Sequence, residues 1–268
     1  MNSTSITDLL ERETADGPLS RRDAMLRTGR MAGAVAIASL PLSLGLFTRK
    51  AAAQGSIPED LLAVLNFALT LERLEDEFYK AGLATGGLDL GTARPIIEQI
   101  SKHETAHVTL LTTLLGEAAA PAPGFDFTGG GTFSNPFSSA GGFLTMAQGF
   151  EDLGVRAYKG QAAALAAQAE LLTTALRIHS VEARHAAILR RLAQTPADKA
   201  WITGSSNTVA DLQPIYDGEE ATTQGRVDLL PLGTPEAASE AFDEPLDQAT
   251  VETIIGPFLV PAEEPPPA

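Results

Sequence analysis

Glu104-Thr105-Ala106-His107 and Glu182-Ala183-Arg184-His185 constrain this chain more than any other feature. Each sets an imidazole three residues after a carboxylate, which on a helix puts both on one face. At about 100° per residue, Ile97, Ile100, Leu111 and Leu115 surround Glu104, and Ala175, Ile178, Ala186 and Leu189 surround Glu182. Both pairs therefore stand in the middle of apolar stripes that must turn toward a core. Two more carboxylates do the same. Glu72 lies among Leu61, Leu65, Ala68 and Tyr79, and Glu151 among Leu144, Ala147, Val155 and Tyr158. One Glu-x-x-His is commonplace on a salt-bridged surface. Two of them mid-stripe, with a central Glu on each remaining helix, are not, because a buried unpaired carboxylate is costly.

The stripes predict four helices, over about Pro58–Ala81, Thr92–Leu115, Ala140–Ala167 and Ala169–Ala193. Pro58 suits a helix start, Pro95 fits the first turn of the second helix, and Gly82 with Gly86 and Gly87 ends the first. The third and fourth run together through an Ala-rich stretch. Between the second and third lies Gly116–Ser139, with Pro121-Ala122-Pro123-Gly124 and Gly129-Gly130-Gly131. It is long enough to cross a whole bundle, whereas the other connections are short and make antiparallel pairs. The expected fold is all-α: a four-helix bundle with a long crossover between helices 2 and 3. The chain also repeats itself. Glu72 precedes Glu104 by 32 residues and Glu151 precedes Glu182 by 31; Tyr79 and Tyr158 each follow their helix's Glu by seven.

Residues 54–195 hold this bundle. Residues 1–53 read as a cleavable address: Ser20-Arg21-Arg22-Asp23, an apolar run from Met31 to Phe47, then Ala51-Ala52-Ala53, with Gln54 the first mature residue. The Arg pair resembles a twin-arginine signal, although Ala24 stands where that signal often has an aromatic residue. An ordinary secretion signal or a retained anchor is the alternative; Pro41 and two Gly interrupt the apolar run, which is short for a membrane span. The expected location is outside the cytoplasm, periplasmic or extracellular, and the twin-arginine export machinery is the expected partner. Residues 196–268 change character. From residue 200 on there are 13 acidic residues and one basic residue, Arg226. Val209–Tyr216 and Ala249–Val260 carry enough apolar and aromatic residues to order, so an irregular extension wrapped on the bundle is expected; a disordered acidic tail is its rival.

The formal net charge of -15 excludes nucleic acid, since a phosphate backbone must meet a surplus of Lys and Arg. The absence of cysteine excludes disulfides, thiolate zinc sites, iron–sulfur clusters and a catalytic thiol. A metal site would have to use carboxylates and the four histidines, His103, His107, His179 and His185. The candidate ligands are Glu72, Glu104, His107, Glu151, Glu182 and His185. Four carboxylates cancel the charge of two divalent ions, and one imidazole serves each ion. Iron and manganese both suit such donors, at roughly 3.5–4 Å apart. Glu75 and Asp76 flank the first stripe and compete with the more central Glu72. His103 and His179 lie at arc edges and read as surface or supporting residues. Tyr79 and Tyr158 read as core aromatics with a polar tip rather than radical sites.

This set resembles that of ferritin-like di-iron and di-manganese proteins. Leu65-Asn66-Phe67-Ala68-Leu69-Thr70-Leu71-Glu72, His103-Glu104-Thr105-Ala106-His107 and His179-Ser180-Val181-Glu182-Ala183-Arg184-His185 resemble bacterial ferritin-like domain proteins related to plant desiccation-related proteins. The resemblance covers about Ile57 to Leu192. Gly218-Glu219-Glu220-Ala221-Thr222-Thr223-Gln224 and Asp243-Glu244-Pro245-Leu246 belong to it as well. It implies a ferritin-like fold and a dinuclear centre of two iron or two manganese ions that could meet O₂ or peroxide. Oxidant handling or iron oxidation in the cell envelope is the expected role. Manganese-catalase-like peroxide disproportionation, or stress protection with a structural metal, are the alternatives.

Overall fold

The computed structural model describes residues 57–193, 199–205 and 210–260. The expected signal peptide, residues 1–53, lies outside the described residues. Four long helices form the body: α1 (Glu59–Ala84), α2 (Arg94–Leu115), α3 (Ala140–Gln161) and α4 (Ala169–Ala193). Two short ones follow, α5 (Pro235–Ser239) and α6 (Gln248–Ile255).

Local chemistry sets the helix ends. Glu59 and Asp60 place negative charge in the first turn of α1, where the helix dipole favours it. Ser139 caps α3, its Oγ accepting from Gly142 N at 3.1 Å. α2 stops at Gly116, whose φ of 55° is easy only for glycine. Gly82 does not end α1, contrary to expectation: the helix continues to Ala84. A Cβ on Gly82 would lie 2.2 Å from Phe143 Cε2, so this glycine serves close approach to α3 rather than termination. α3 ends at Gln161, earlier than expected, and turns through residues 162–168 before α4.

The helices pair as antiparallel hairpins. Thr105 Oγ1 donates to Asp76 Oδ1 at 2.6 Å, while near the start of α1 Asn66 Nδ2 donates to Ala118 O at 3.0 Å, just beyond the end of α2. In the second hairpin His179 Nδ1 lies 3.0 Å from Val155 O, and Arg190 pairs with Asp152. The hairpins meet chiefly where α1 packs on α3.

The crossover is not structureless. Its Phe127 and Phe137 bring their rings to 5.2 and 5.3 Å from that of Phe78 on α1, which also stacks on Phe143 at 4.9 Å. A two-residue strand, β1 (Gly124–Phe125), pairs antiparallel with β4 (Leu259–Val260) in the register Gly124↔Val260. A second pair, β2 (Thr223–Gln224) with β3 (Val227–Asp228), is a local hairpin.

The described part of the tail packs on α3. Arg156, almost fully buried, pairs with Glu219 and donates to the carbonyls of Ile215, Asp217 and Glu244. Gly160 meets the Leu246 carbonyl, and Tyr216 OH donates to Asp152 Oδ2 at 2.7 Å. Trp201 is 49% exposed and contributes little to this packing.

The core has two apolar clusters. One gathers Leu74, Phe78, Ile97, Phe143, Phe150 and Leu189 with tail residues such as Ile215 and Phe258. The other holds Leu61, Leu65, Leu69, Leu111, Leu165 and Ile178. The level of the bundle between them is polar.

Candidate metal centre

That polar level is made by one turn from each long helix. All sixteen apolar residues assigned to the stripes are buried, so the carboxylates among them are drawn inward with them. Glu72, Glu104, Glu151 and Glu182 are fully buried, His185 nearly so, and the His107 side chain is 11% exposed. Two groups of potential donors result, Glu72, Glu104, His107 and Glu182 in one and Glu104, Glu151, Glu182 and His185 in the other. Glu104 and Glu182 belong to both.

Glu104 spans the two groups oxygen by oxygen. Its Oε2 lies 3.0 Å from His107 Nδ1 and its Oε1 lies 2.9 Å from His185 Nδ1. The second approach lacks hydrogen-bond alignment, leaving Oε1 without a partner. Around His107 Nδ1 stand Glu72 Oε2 at 3.0 Å and Glu182 Oε1 at 3.2 Å; around His185 Nδ1 stands Glu151 Oε2 at 3.1 Å. Both oxygens of Glu182 are buried without a hydrogen-bond partner. Buried acceptors in this condition call for a counter-charge.

The outer carboxylates are held reciprocally. Tyr79 on α1 donates its hydroxyl to Glu151 on α3, and Tyr158 on α3 donates to Glu72 on α1. Both phenols are pushed well above their ordinary pKa by burial and then by the carboxylate each touches, so they stay donors. The two hairpins thus repeat one another: Glu72 with Glu151, Tyr79 with Tyr158, Glu104 with Glu182, His107 with His185.

Burial and crowding shift several of these groups. Glu182 is pushed well above the carboxylate range by burial, then by the Glu151 and Glu72 charges. Glu104 is pushed up to about 7 by burial and by Glu182, against the pull of the two histidines. Burial alone would raise Glu72 too, but the His107 charge and the bonds from His107 and Tyr158 outweigh it and hold Glu72 low. Burial opposes charge on His185, yet Glu151 and Glu104 lift it to about 11, and Glu72 with its neighbours lifts His107 in the same way. Such opposed shifts describe negative groups gathered for a cation and partly neutralised by the imidazoles.

Sequence reasoning set aside two residues that the structure brings close. His103, at the arc edge, places Nδ1 2.9 Å from His185 Nε2 and Nε2 2.8 Å from Gln99 Nε2. It is a supporting residue, since a bond at Nε2 leaves His185 Nδ1 to face the carboxylates. Glu75 is 3% exposed and lies against the cluster; burial, and then the four carboxylates, push it well above its ordinary pKa. Its spacing of three from Glu72 was a readable signal. Asp76 is engaged elsewhere, by Thr105 and by Lys80 Nζ at 2.6 Å. His179 binds the Val155 carbonyl and stays out of the cluster.

The donors are hard oxygens and imidazole nitrogens, buried, mutually repelling and partly orphaned. They could hold metal ions. A sequence model of the ferritin-like domain matches residues 60–195, just over half of the chain and all six donors. No curated protein and no solved structure matches the chain. Helical bundle, inward carboxylate–imidazole cluster and family match agree, and the chain belongs to the ferritin-like domain family.

Proposed function

We propose that Glu72, Glu104, His107, Glu151, Glu182 and His185 hold a dinuclear iron or manganese centre, and that the protein handles oxidants or oxidises iron in the cell envelope. The observation that carries this reading is Glu104, with one oxygen 3.0 Å from His107 Nδ1 and the other 2.9 Å from His185 Nδ1. Glu104 and Glu182, which belong to both groups, would be held in common by the two ions, with Glu72 and His107 serving one and Glu151 and His185 the other. When bound, such a centre supplies two electrons at once to O₂ or a peroxide.

The chain's own residues support that chemistry. Tyr79 and Tyr158 fix the outer carboxylates. The two apolar clusters keep water from the site above and below. His107, partly exposed, marks the side on which a small oxidant reaches it. Export by the twin-arginine route is part of the proposal. That route carries folded proteins, so the ions can be loaded inside the cell.

Metal analysis with Glu182→Ala and Glu104→Ala tests the reading. The purified full chain should hold about two ions, and each variant clearly fewer. Fe(II) oxidation by O₂, or peroxide breakdown by the manganese form, should fall with them. His103→Ala should lose much less. Turnover by the manganese form alone would select the catalase-like reaction. Metal without turnover would select the structural role. If Glu182→Ala keeps both ions and its melting temperature, the centre is not where we place it.

A further inference from the structure

The crossover leaves a cleft on the outer face of α1. Near one end it is fastened by Asn66, whose Oδ1 accepts from Ala120 N at 2.6 Å, and by Arg73, whose Nη1 donates to Ala120 O at 2.7 Å. Further along, Gly124 pairs with Val260, and the Phe127 ring meets that of Phe78. Between these fixings the crossover, α1 and Val108 of α2 surround a half-open cleft of about 400 Å³. That volume lies within the range of small-molecule sites.

The walls differ in kind. Pro123, Phe125, Phe127 and Val108 make an apolar one, with the rings of Phe125 and Phe127 nearly parallel and 6.0 Å apart. The α1 wall is charged, with Arg73, Glu77 and Lys80 at helical spacing. Lys80 is matched already: its Nζ lies 2.6 Å from Asp76 Oδ2 and 3.2 Å from Glu77 Oε1. Arg73 is not. The chain has 34 acidic residues against 19 basic ones, yet among the described residues no carboxylate pairs with Arg73. Ala120 O is its one acceptor there, which leaves most of the five N–H groups of a guanidinium free to bind something else. Burial lowers its pKa, and no carboxylate acts to raise it again.

We propose that this cleft binds a small aromatic anion, with its carboxylate or sulfonate on the Arg73 guanidinium and its ring along Phe125 and Phe127. A partly buried cation without a counter-charge is relieved by an anionic group, and a planar oxyanion matches the guanidinium fork. The apolar wall takes the ring. Asp76 and Glu77 already use the charge of Lys80, so the cleft favours one anionic group over a polyphosphate. The acidic surface around it repels anions, so Arg73 decides whether one stays. None of the six candidate metal donors lines the cleft, and the proposal stands whether or not the centre holds ions.

Fluorescence titration of the full chain with anilinonaphthalene sulfonate tests this, beside the same dye without its sulfonate, phenylnaphthylamine. The wild type should bind the sulfonate at one saturable site and prefer it to the uncharged dye. Arg73→Gln keeps a donor for Ala120 O but removes the charge. Its affinity for the sulfonate should fall roughly tenfold or more, the loss expected for a hydrogen bond to a charged group, while the uncharged dye changes little. Arg73→Lys should keep most of the affinity. Ala81→Phe, which fills the cleft from α1, should weaken both dyes. Circular dichroism confirms that each variant is folded; if Arg73→Gln is not, Ala81→Phe and the dye preference of the wild type carry the test. Sulfonate affinity that survives either Arg73→Gln or Ala81→Phe overturns the proposal and puts the dye on exposed apolar side chains such as Leu232. A wild type without saturable sulfonate binding overturns it as well.

Discussion

Glu104 and His185 are 2.9 Å apart and titrate far from their ordinary values in the ion-free protein. The Glu104 carboxyl rises from 4.5 to about 7, so the stability it lends is full below pH 4.5 and fades as pH climbs through about 7. His185 rises from 6.5 to about 11; its contribution is full below pH 6.5 and is lost as pH climbs through about 11. Both make the ion-free protein weaken from pH 5.5 to 7.5. Glu72, held low, acts oppositely but only at pH below its ordinary 4.5. Metal binding must expel these protons, so affinity rises over the same range. The increase in melting temperature on adding Mn(II) should therefore grow from pH 5.5 to 7.5. Scanning fluorimetry with and without the ion checks it, and an increase that shrinks or stays flat with pH would contradict the assignment. The six candidate donors were readable because each Glu stands at the centre of a stripe and each His follows its Glu by three residues. Glu75 was legible only as a rival to Glu72, since a helical projection shows who shares a face but not what lies opposite.

Helix-scale contacts decide where α1 can stop and how near α3 can come. Gly82 was read as a terminator from composition, yet it is buried mid-turn under the Phe143 ring. Gly→Ala in a helix normally stabilises by about 1 kcal/mol. Here the added methyl overlaps a stacked aromatic, and overpacking of that kind costs about 1–3 kcal/mol. Gly82→Ala should therefore lower the melting temperature by several degrees, at roughly 2–4 °C per kcal/mol for a domain of this size. Gly141→Ala, in the first turn of α3 with open space around it, should be neutral or stabilising. Thermal melts of both variants make the comparison, and an unharmed Gly82→Ala would mean that Phe143 swings aside freely. Helix existence and face were readable from periodicity. The end of α1 was not, because a partner ring 61 residues away determines it.

Over the whole molecule, acidic residues outnumber basic ones. Residues 54–268 carry 12 Lys and Arg against 29 Asp and Glu, a surface suited to solubility and to attracting cations. If the leader is of the twin-arginine type, changing Arg21 and Arg22 together to Lys should leave precursor in the cytoplasm. Cell fractionation with an antibody to the bundle checks this, and unchanged export would remove the route without touching the metal reading. The tail's acidic, Pro-rich composition concealed how it is fastened. Beside Glu219, the acceptors it offers Arg156 are backbone carbonyls, which no side-chain pattern announces.

That fastening has a consequence for synthesis. Arg156 sits on the helix that carries Glu151, and the carbonyls it holds belong to residues 59, 61 and 88 positions further on. A ribosome that has delivered α4 has delivered all six donors but none of those carbonyls. Until residues 215–219 emerge, α3 has a guanidinium that must either stay wet or be buried unpaired. A chain stopped before these residues should therefore hold its third helix more loosely. A packing contact far from the donors thus makes the closing of α3 depend on the tail that follows the bundle.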